Sequence, residues 1–334
     1  MKRFLLLALF ALAALQAASL DPNNPTGTHG LILIDKLGDH IRFFDPSTFQ
    51  ELSSIETAKA PHDLAFSPDH QTVYVPIYGD GVYGRNPHPG HLIAIVDLAS
   101  RKLTGTIDVS PYQAPHGIQV DQAGMLYVTC DLSRKLLVID PKKRAIEAAI
   151  DTEGTGHWSA VLPDGSKAYV ANKNDKLFVS VIDLKARKLI GHIPAPNGTE
   201  GIVASPDGMY VVAVDHTEPA LLVINPESDT ITVKLPLEGS PRAAFKPRFT
   251  PDGSKLLVCS LSGTVNIINV KDPHGKQVIV TVGKDPMGFA ISPDSKTALV
   301  ANHGDGTVSV ISLTEGKVVS TFKGGTGIET LSYY

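Results

Sequence analysis

The chain has 334 residues, 43% apolar and 19% charged, with a formal net charge of −4. That is ample material for a large core, so composition excludes a disordered chain, and the acidic balance disfavours non-specific nucleic-acid binding, which calls for a basic surface. Two cysteines are too few for a disulfide-built scaffold, and no CxxCH haem attachment or paired CxxC zinc knuckle occurs.

The first element, MKRFLLLALFALAALQAASL, has a basic start at Lys2 and Arg3, an apolar run from Phe4 to Leu15 and small residues at Ala17, Ala18 and Ser19. It reads as a signal peptide, residues 1–18, removed to leave a mature chain of 19–334 that is periplasmic or secreted. An uncleaved anchor fits less well, because the run falls short of the ~20 apolar residues that span a bilayer. No cysteine nearby supports a lipid anchor, and no transmembrane segment remains after cleavage. Without Lys2 and Arg3 the mature chain carries 28 basic against 34 acidic residues, a net charge of about −6.

From there the elements are short strands. GLILID, HIRFFD and QELSSIE come first. A turn tripeptide then recurs as SPD at Ser67, LPDG at Leu162, SPDG at Ser205, TPDG at Thr250 and SPD at Ser292, with a degenerate VDQAG at Val120. After each turn comes a β-rich run (TVYVP, MLYVTC, KAYVAN, MYVVAV, KLLVCS, TALVAN), then a second run usually ending in Asp or Asn (HLIAIVD, KLLVID, LFVSVID, ALLVIN, TVNIIN, TVSVIS). A charged turn leads to a third, such as KLTGTID or KVVSTF. With the strand before the turn, each repeat holds four antiparallel strands, the signature of a propeller blade. Six continuous units are followed by GIETLSYY, a leading strand that completes the three N-terminal ones. The expected fold is an all-β, seven-bladed β-propeller whose ring is closed by N- and C-terminal strands in one blade.

The runs VYVPIYGDG, YVTCDLSRKLLVID, YVANKNDKLFVSVID and LVANHGDGTVSVIS resemble the YVTN repeats of bacterial and archaeal seven-bladed propellers, over nearly all of the mature chain. The resemblance implies the fold. For function it implies only a range: surface proteins, lactonases, lyases and cofactor-bearing oxidoreductases share this architecture. A quinone-cofactor dehydrogenase is disfavoured, because its tryptophan-rich blades have no counterpart in a chain with Trp158 alone.

Aligning the units on the SPD turn puts seven residues at one register of the innermost strands. In blade order they are Glu329, His62, His116, His157, Glu200, Phe245 and Met287. Five adjacent blades thus present Glu, His, His, His and Glu. Imidazoles and carboxylates suit a divalent transition metal (Cu, Zn, Mn or Fe), with His62, His116, His157 and Glu200 as the ligand set. The same four are the candidate catalytic groups, as acid–base residues or beside a metal-bound water. The alternative is packing: inner-strand side chains can lie between blades, their imidazoles bonded to neighbouring carbonyls. Trp158, beside His157, is expected between blades.

The turns between second and third strands should open on the same mouth of the central channel. The longest, IYGDGVYGRNPHPGH, offers Tyr78, Arg85 and His88 as ligand contacts beside His62, with Glu329 on the inner strand. It reads as a lid or as an inert excursion. His216 and His303, in the matching turns of blades 5 and 7, read as solvated. At the opposite end the turns carry Arg101, Lys102, Lys142, Lys143, Arg144, Lys185, Arg187 and Lys188, a solvated set or a basic arc for an anionic cell-envelope polymer or an acidic protein. Cys130 and Cys259 fall in blades 3 and 6, across the ring, and should stay reduced.

The expected function is that of an exported, monomeric binding scaffold with a His/Glu-lined channel mouth for a small molecule or metal ion. An enzyme, either a metal-dependent oxidoreductase or a lactonase or lyase, is the alternative.

Overall fold

The computed structural model describes residues 29–173, 175–240 and 244–334; the signal-peptide reading of residues 1–18 lies outside them. These residues form seven four-stranded antiparallel sheets, a seven-bladed β-propeller. The inner strands of blades 1 to 7 are Ile328–Tyr333, Ala65–Phe66, Pro115–Val120, Gly156–Val161, Thr199–Ala204, Ala244–Phe249 and Pro286–Ile291. No helix among the described residues is long and apolar enough to cross a membrane.

Position in the blade decides the sequence pattern. The second strand of blade 1, Leu31–Asp35, is buried at every residue because blades pack against both of its faces. The outer strand Glu51–Glu56 has one free face and alternates between exposed and half-buried. Each fully buried Val, Leu or Ile contributes about 1.5–3 kcal/mol relative to exposure, so the interblade layers carry most of the stability.

The recurring turn residues have local roles. In SPD, the Ser67 hydroxyl donates to Asp69 Oδ1 at 2.6 Å and accepts from the Thr72 amide at 3.0 Å. Where the motif ends in glycine, that glycine is left-handed, with φ of 68° at Gly165 and 71° at Gly208.

Blade 1 closes the ring. Leu31–Asp35 pairs with Ile328–Tyr333, and His40–Phe44 and Glu51–Glu56 complete the sheet. Asp35 locks the junction: its carboxylate accepts from the amides of Gly327 at 2.8 Å and Thr326 at 3.0 Å, and from Arg42 Nε at 2.9 Å. Burial works to raise its pKa, but these donors outweigh it and hold the group below the usual carboxylate range.

The inner strands share an irregularity. In blades 1 and 3–7 the register against the second strand slips at the entry of the inner strand; in blade 7, Pro286 pairs with Asn302 but Gly288 with Ala301. In blade 2, Pro61 opposes Ile77 and Ala65 opposes Tyr74, again leaving one extra residue on the inner strand. Every blade therefore bulges at the register of Glu329, His62, His116, His157, Glu200, Phe245 and Met287. A bulge turns two successive side chains the same way, which places both His157 and Trp158 at the channel.

Candidate functional site

The three imidazoles meet at one mouth. Ring centroids of His62 and His116 are 3.8 Å apart, and those of His116 and His157 are 4.2 Å apart. Glycines permit this closeness: a Cβ at Gly117 would lie 3.2 Å from the His157 carbonyl, and one at Gly288 only 2.6 Å from the Glu329 carbonyl. The Thr129 hydroxyl donates to the His157 carbonyl at 2.7 Å, tethering blade 3 to blade 4.

Above the imidazoles is a cavity of about 350 Å³. It is lined by His62, His116, His157, Glu329, Phe245 and Met287 from the inner strands, and by Lys36, Tyr83, Lys173 and His303 from second-to-third strand turns. Those turns do open on this mouth. Six of the seven register residues line the cavity; the seventh, Glu200, sits behind His157 with Oε1 3.1 Å from Nδ1.

Two lysines flank the arc. Lys36 Nζ lies 2.9 Å from His62 Nε2 and 3.4 Å from Glu329 Oε2, and His303 Nδ1 is 3.6 Å from the same oxygen. On the other flank Lys173 Nζ is 2.7 Å and His216 Nδ1 3.1 Å from Glu200 Oε2. His216 and His303, read from the sequence as solvated turn residues, thus face the two glutamates. Lys36 and Lys173 carried no signal beyond their place in those turns.

Burial sets the charge state. Desolvation drives the pKa of His62 and His116 well below the ordinary imidazole value, with Lys36 adding to it. His157 also falls, because desolvation outweighs the attraction of Glu200. Burial pushes Glu200 upward, but His157, His216 and Lys173 together hold it far below the carboxylate range. Burial thus favours the neutral form of all three imidazoles, and each glutamate of the arc has a lysine beside it.

Among the described residues, three Nδ1 atoms at this mouth, those of His62, His116 and His303, are buried without a hydrogen-bond partner, whereas His157 Nδ1 faces Glu200 Oε1 at 3.1 Å and Glu329 Oε2 faces the Lys36 ammonium at 3.4 Å. Protein interiors rarely leave such atoms unpaired. The donor types suit a transition metal. Among the described residues, however, no three His, Cys, Asp or Glu side chains are disposed around a common metal position; the imidazoles lie ring against ring, tilted by 45° and 43°.

Other sequence candidates fall differently. Tyr78 is fully buried behind the site, its ring 5.2 Å from that of His62, and its hydroxyl donates to Asp131 Oδ2 at 2.7 Å. The long blade 2 segment is a hairpin extending strands Thr72–Val82 and Arg85–Asp97. Its tip crosses to blade 4, where Tyr83 lies 4.4 Å from His157 and donates to the Thr155 carbonyl. Arg85 and His88 are exposed on this hairpin and do not line the cavity; His88 is 3.8 Å from Asp80. Trp158, expected between blades, packs there on one side but also contacts all three imidazole rings. Both cysteines are free and buried.

No family model matches this chain, and no curated protein matches it. Solved structures do. A chain of Kuenenia stuttgartiensis hydrazine synthase superposes with a TM-score of 0.68 at 21% identity, covering 81% of this chain and 89% of that one. A functionally unknown protein from Desulfotomaculum acetoxidans superposes with a TM-score of 0.76 at 13% identity, covering 91% and 98%. At these identities the likeness shows the propeller fold and nothing finer.

Proposed function

We propose that this propeller is an exported YVTN-type binding protein whose histidine mouth takes a small polar molecule under the Tyr83 hairpin. The observation that carries this reading is the set of three unpartnered imidazole Nδ1 atoms, those of His62, His116 and His303, around one cavity. Its volume of about 350 Å³ is at the small end of ligand pockets and exceeds what a bare ion needs. Because each lysine at this mouth already faces a glutamate, a ligand with both donors and acceptors suits it better than a simple anion. Phe245 and Met287 supply an apolar wall opposite the imidazoles.

A second reading is enzymatic, and the His157–Glu200 pair favours it. A neutral imidazole beside an ionised carboxylate can accept a proton from a bound substrate, as lactonase or lyase chemistry requires. A metal-dependent oxidoreductase holding Cu, Zn, Mn or Fe on His62, His116, His157 and Glu200 is not favoured, because among the described residues these side chains do not surround a common position.

The test is a thermal-shift screen of polar metabolites and of these four metals, on untagged protein and on the His62→Ala, His116→Ala and His157→Ala variants. A stabilising compound whose effect vanishes in all three variants supports a binding mouth. Stabilisation by a metal alone, with stoichiometric uptake, moves the reading to the metalloenzyme. No shift with any compound, together with simple additive destabilisation in double mutants, makes the histidines packing residues.

A further inference from the structure

The channel has a second mouth. The turns between first and second strands, which carry the Ser-Pro-Asp sequences, surround a cavity of about 540 Å³ at the opposite end. Trp158 and Lys246 separate it from the imidazoles: the Lys246 ammonium sits 3.5 Å from the Trp158 ring centroid, and the other side of the Trp158 environment is the histidine cluster. Arg248, two residues along the same strand and so on the same face, lines this cavity and is exposed to its water.

The charges here do not balance. Among the described residues Arg248 makes no hydrogen bond and no ion pair. Among the described residues the one carboxylate lining this cavity, Asp63, has its Oδ1 3.7 Å from Lys246 Nζ, beyond hydrogen-bonding distance. Two cations thus share one acid in the cavity wall, in a chain that is acidic overall. Desolvation lowers the pKa of Lys246, with Asp63 only partly opposing it. Two more groups in the wall, Trp158 Nε1 and Ser159 Oγ, are buried without a partner. The indole can only donate and the hydroxyl is able to. A pocket with surplus positive charge and spare donors is complementary to an anion, and a guanidinium suits carboxylate or phosphate because it offers two parallel N–H groups.

We propose that this second cavity binds a small organic anion, a carboxylate or a phosphate monoester. Its charged group lies between Arg248 and Lys246, and its body rests on the apolar rim of Phe66, Phe249 and Ile291. This inference stands apart from the reading of the histidine mouth, since no residue lines both cavities.

Trp158 is the only tryptophan in the chain, so intrinsic fluorescence reports on this site. Inorganic phosphate, benzoate and phenyl phosphate would be titrated at ionic strength held constant with sodium chloride. The expected result is a saturable emission change with at least one of the three, the tighter of benzoate and phenyl phosphate identifying the head group. Arg248→Gln should weaken that binding by about tenfold or more, since a charge-assisted contact contributes about 1.5–3 kcal/mol, and Arg248→Lys should fall between. Melting curves without anion verify that the variants are folded. No saturable change with any of the three probes, or equal affinity in wild type and folded Arg248→Gln, overturns the proposal.

Discussion

The ammonium of Lys36 lies 2.9 Å from Nε2 of His62. An ammonium can only donate, so Nε2 accepts and the ring proton resides on Nδ1, which has no partner. His62 is thereby fixed as one tautomer of a neutral imidazole, with an N–H left available.

Replacing Lys36 by Met should release that constraint. After desolvation, the Lys36 charge is the leading cause of the depressed His62 pKa. The His62 pKa should therefore rise, and NMR titration of the imidazole carbons would show it. An unchanged titration would mean that the contact is not formed in solution.

The buried imidazoles make the fold acid-sensitive. Each has a folded pKa below its unfolded value near 6.5. As pH falls below 6.5 the unfolded chain takes up protons that the folded protein refuses, so stability is present above that pH and lost below it. Each such group gives a slope of up to about 1.4 kcal/mol per pH unit. Asp131, raised by burial to about 6, works in the opposite sense, since it takes up a proton in the folded state first. Comparing wild type with His116→Phe isolates one imidazole: the variant's stability, from denaturant melts between pH 6.5 and 5, should decline less steeply. Parallel curves would contradict a buried neutral His116.

Ring closure depends on Asp35. Substituting Ala leaves the amides of Thr326 and Gly327 without their acceptor and Arg42 without a buried partner. The expected cost is roughly 2–5 kcal/mol in a denaturant melt. Deleting residues 327–334 should be worse, because it exposes strand edges on both sides of the seam. A truncated protein that melts like the intact one would refute closure at this blade.

Tyr83→Ala should uncover the mouth. Desolvation is the main cause of the low His157 pKa, and Tyr83 covers that ring. The His157 pKa should move up toward its ordinary value, and ligand release should quicken. If NMR titration finds His157 unmoved, the hairpin does not shield it.

Cys130 and Cys259 should react with alkylating reagents only after unfolding. Both are buried, and burial pushes the Cys259 thiol up to about 12. Intact mass measurement of native and denatured protein tests this; a reducible pair that resists alkylation would show that the blades bearing them are misplaced.

The repeat itself determined much of this molecule. Ser-Pro-Asp turns and Asp/Asn-ended strands are local chemistry, repeated often enough to count seven blades and to pair the N-terminal strands with the C-terminal one from the residues alone. Because every blade shares one register, the same repeat also brought Glu329, His62, His116, His157 and Glu200 to one level. What lay beyond the sequence was direction. The extra residue that bulges each inner strand turns Trp158 toward the channel, and no local pattern marks it. The reach of Tyr83 from blade 2 to His157, the seats of Lys36 and Lys173, and the isolation of Arg248 with Lys246 depend on distances across the ring. Those distances are set by how closely seven twisted sheets pack around an axis, with glycines such as Gly117 and Gly288 removing the side chains that would hold them apart. That packing is a property of the closed ring, so only the tertiary structure could decide which of the repeated positions became a site.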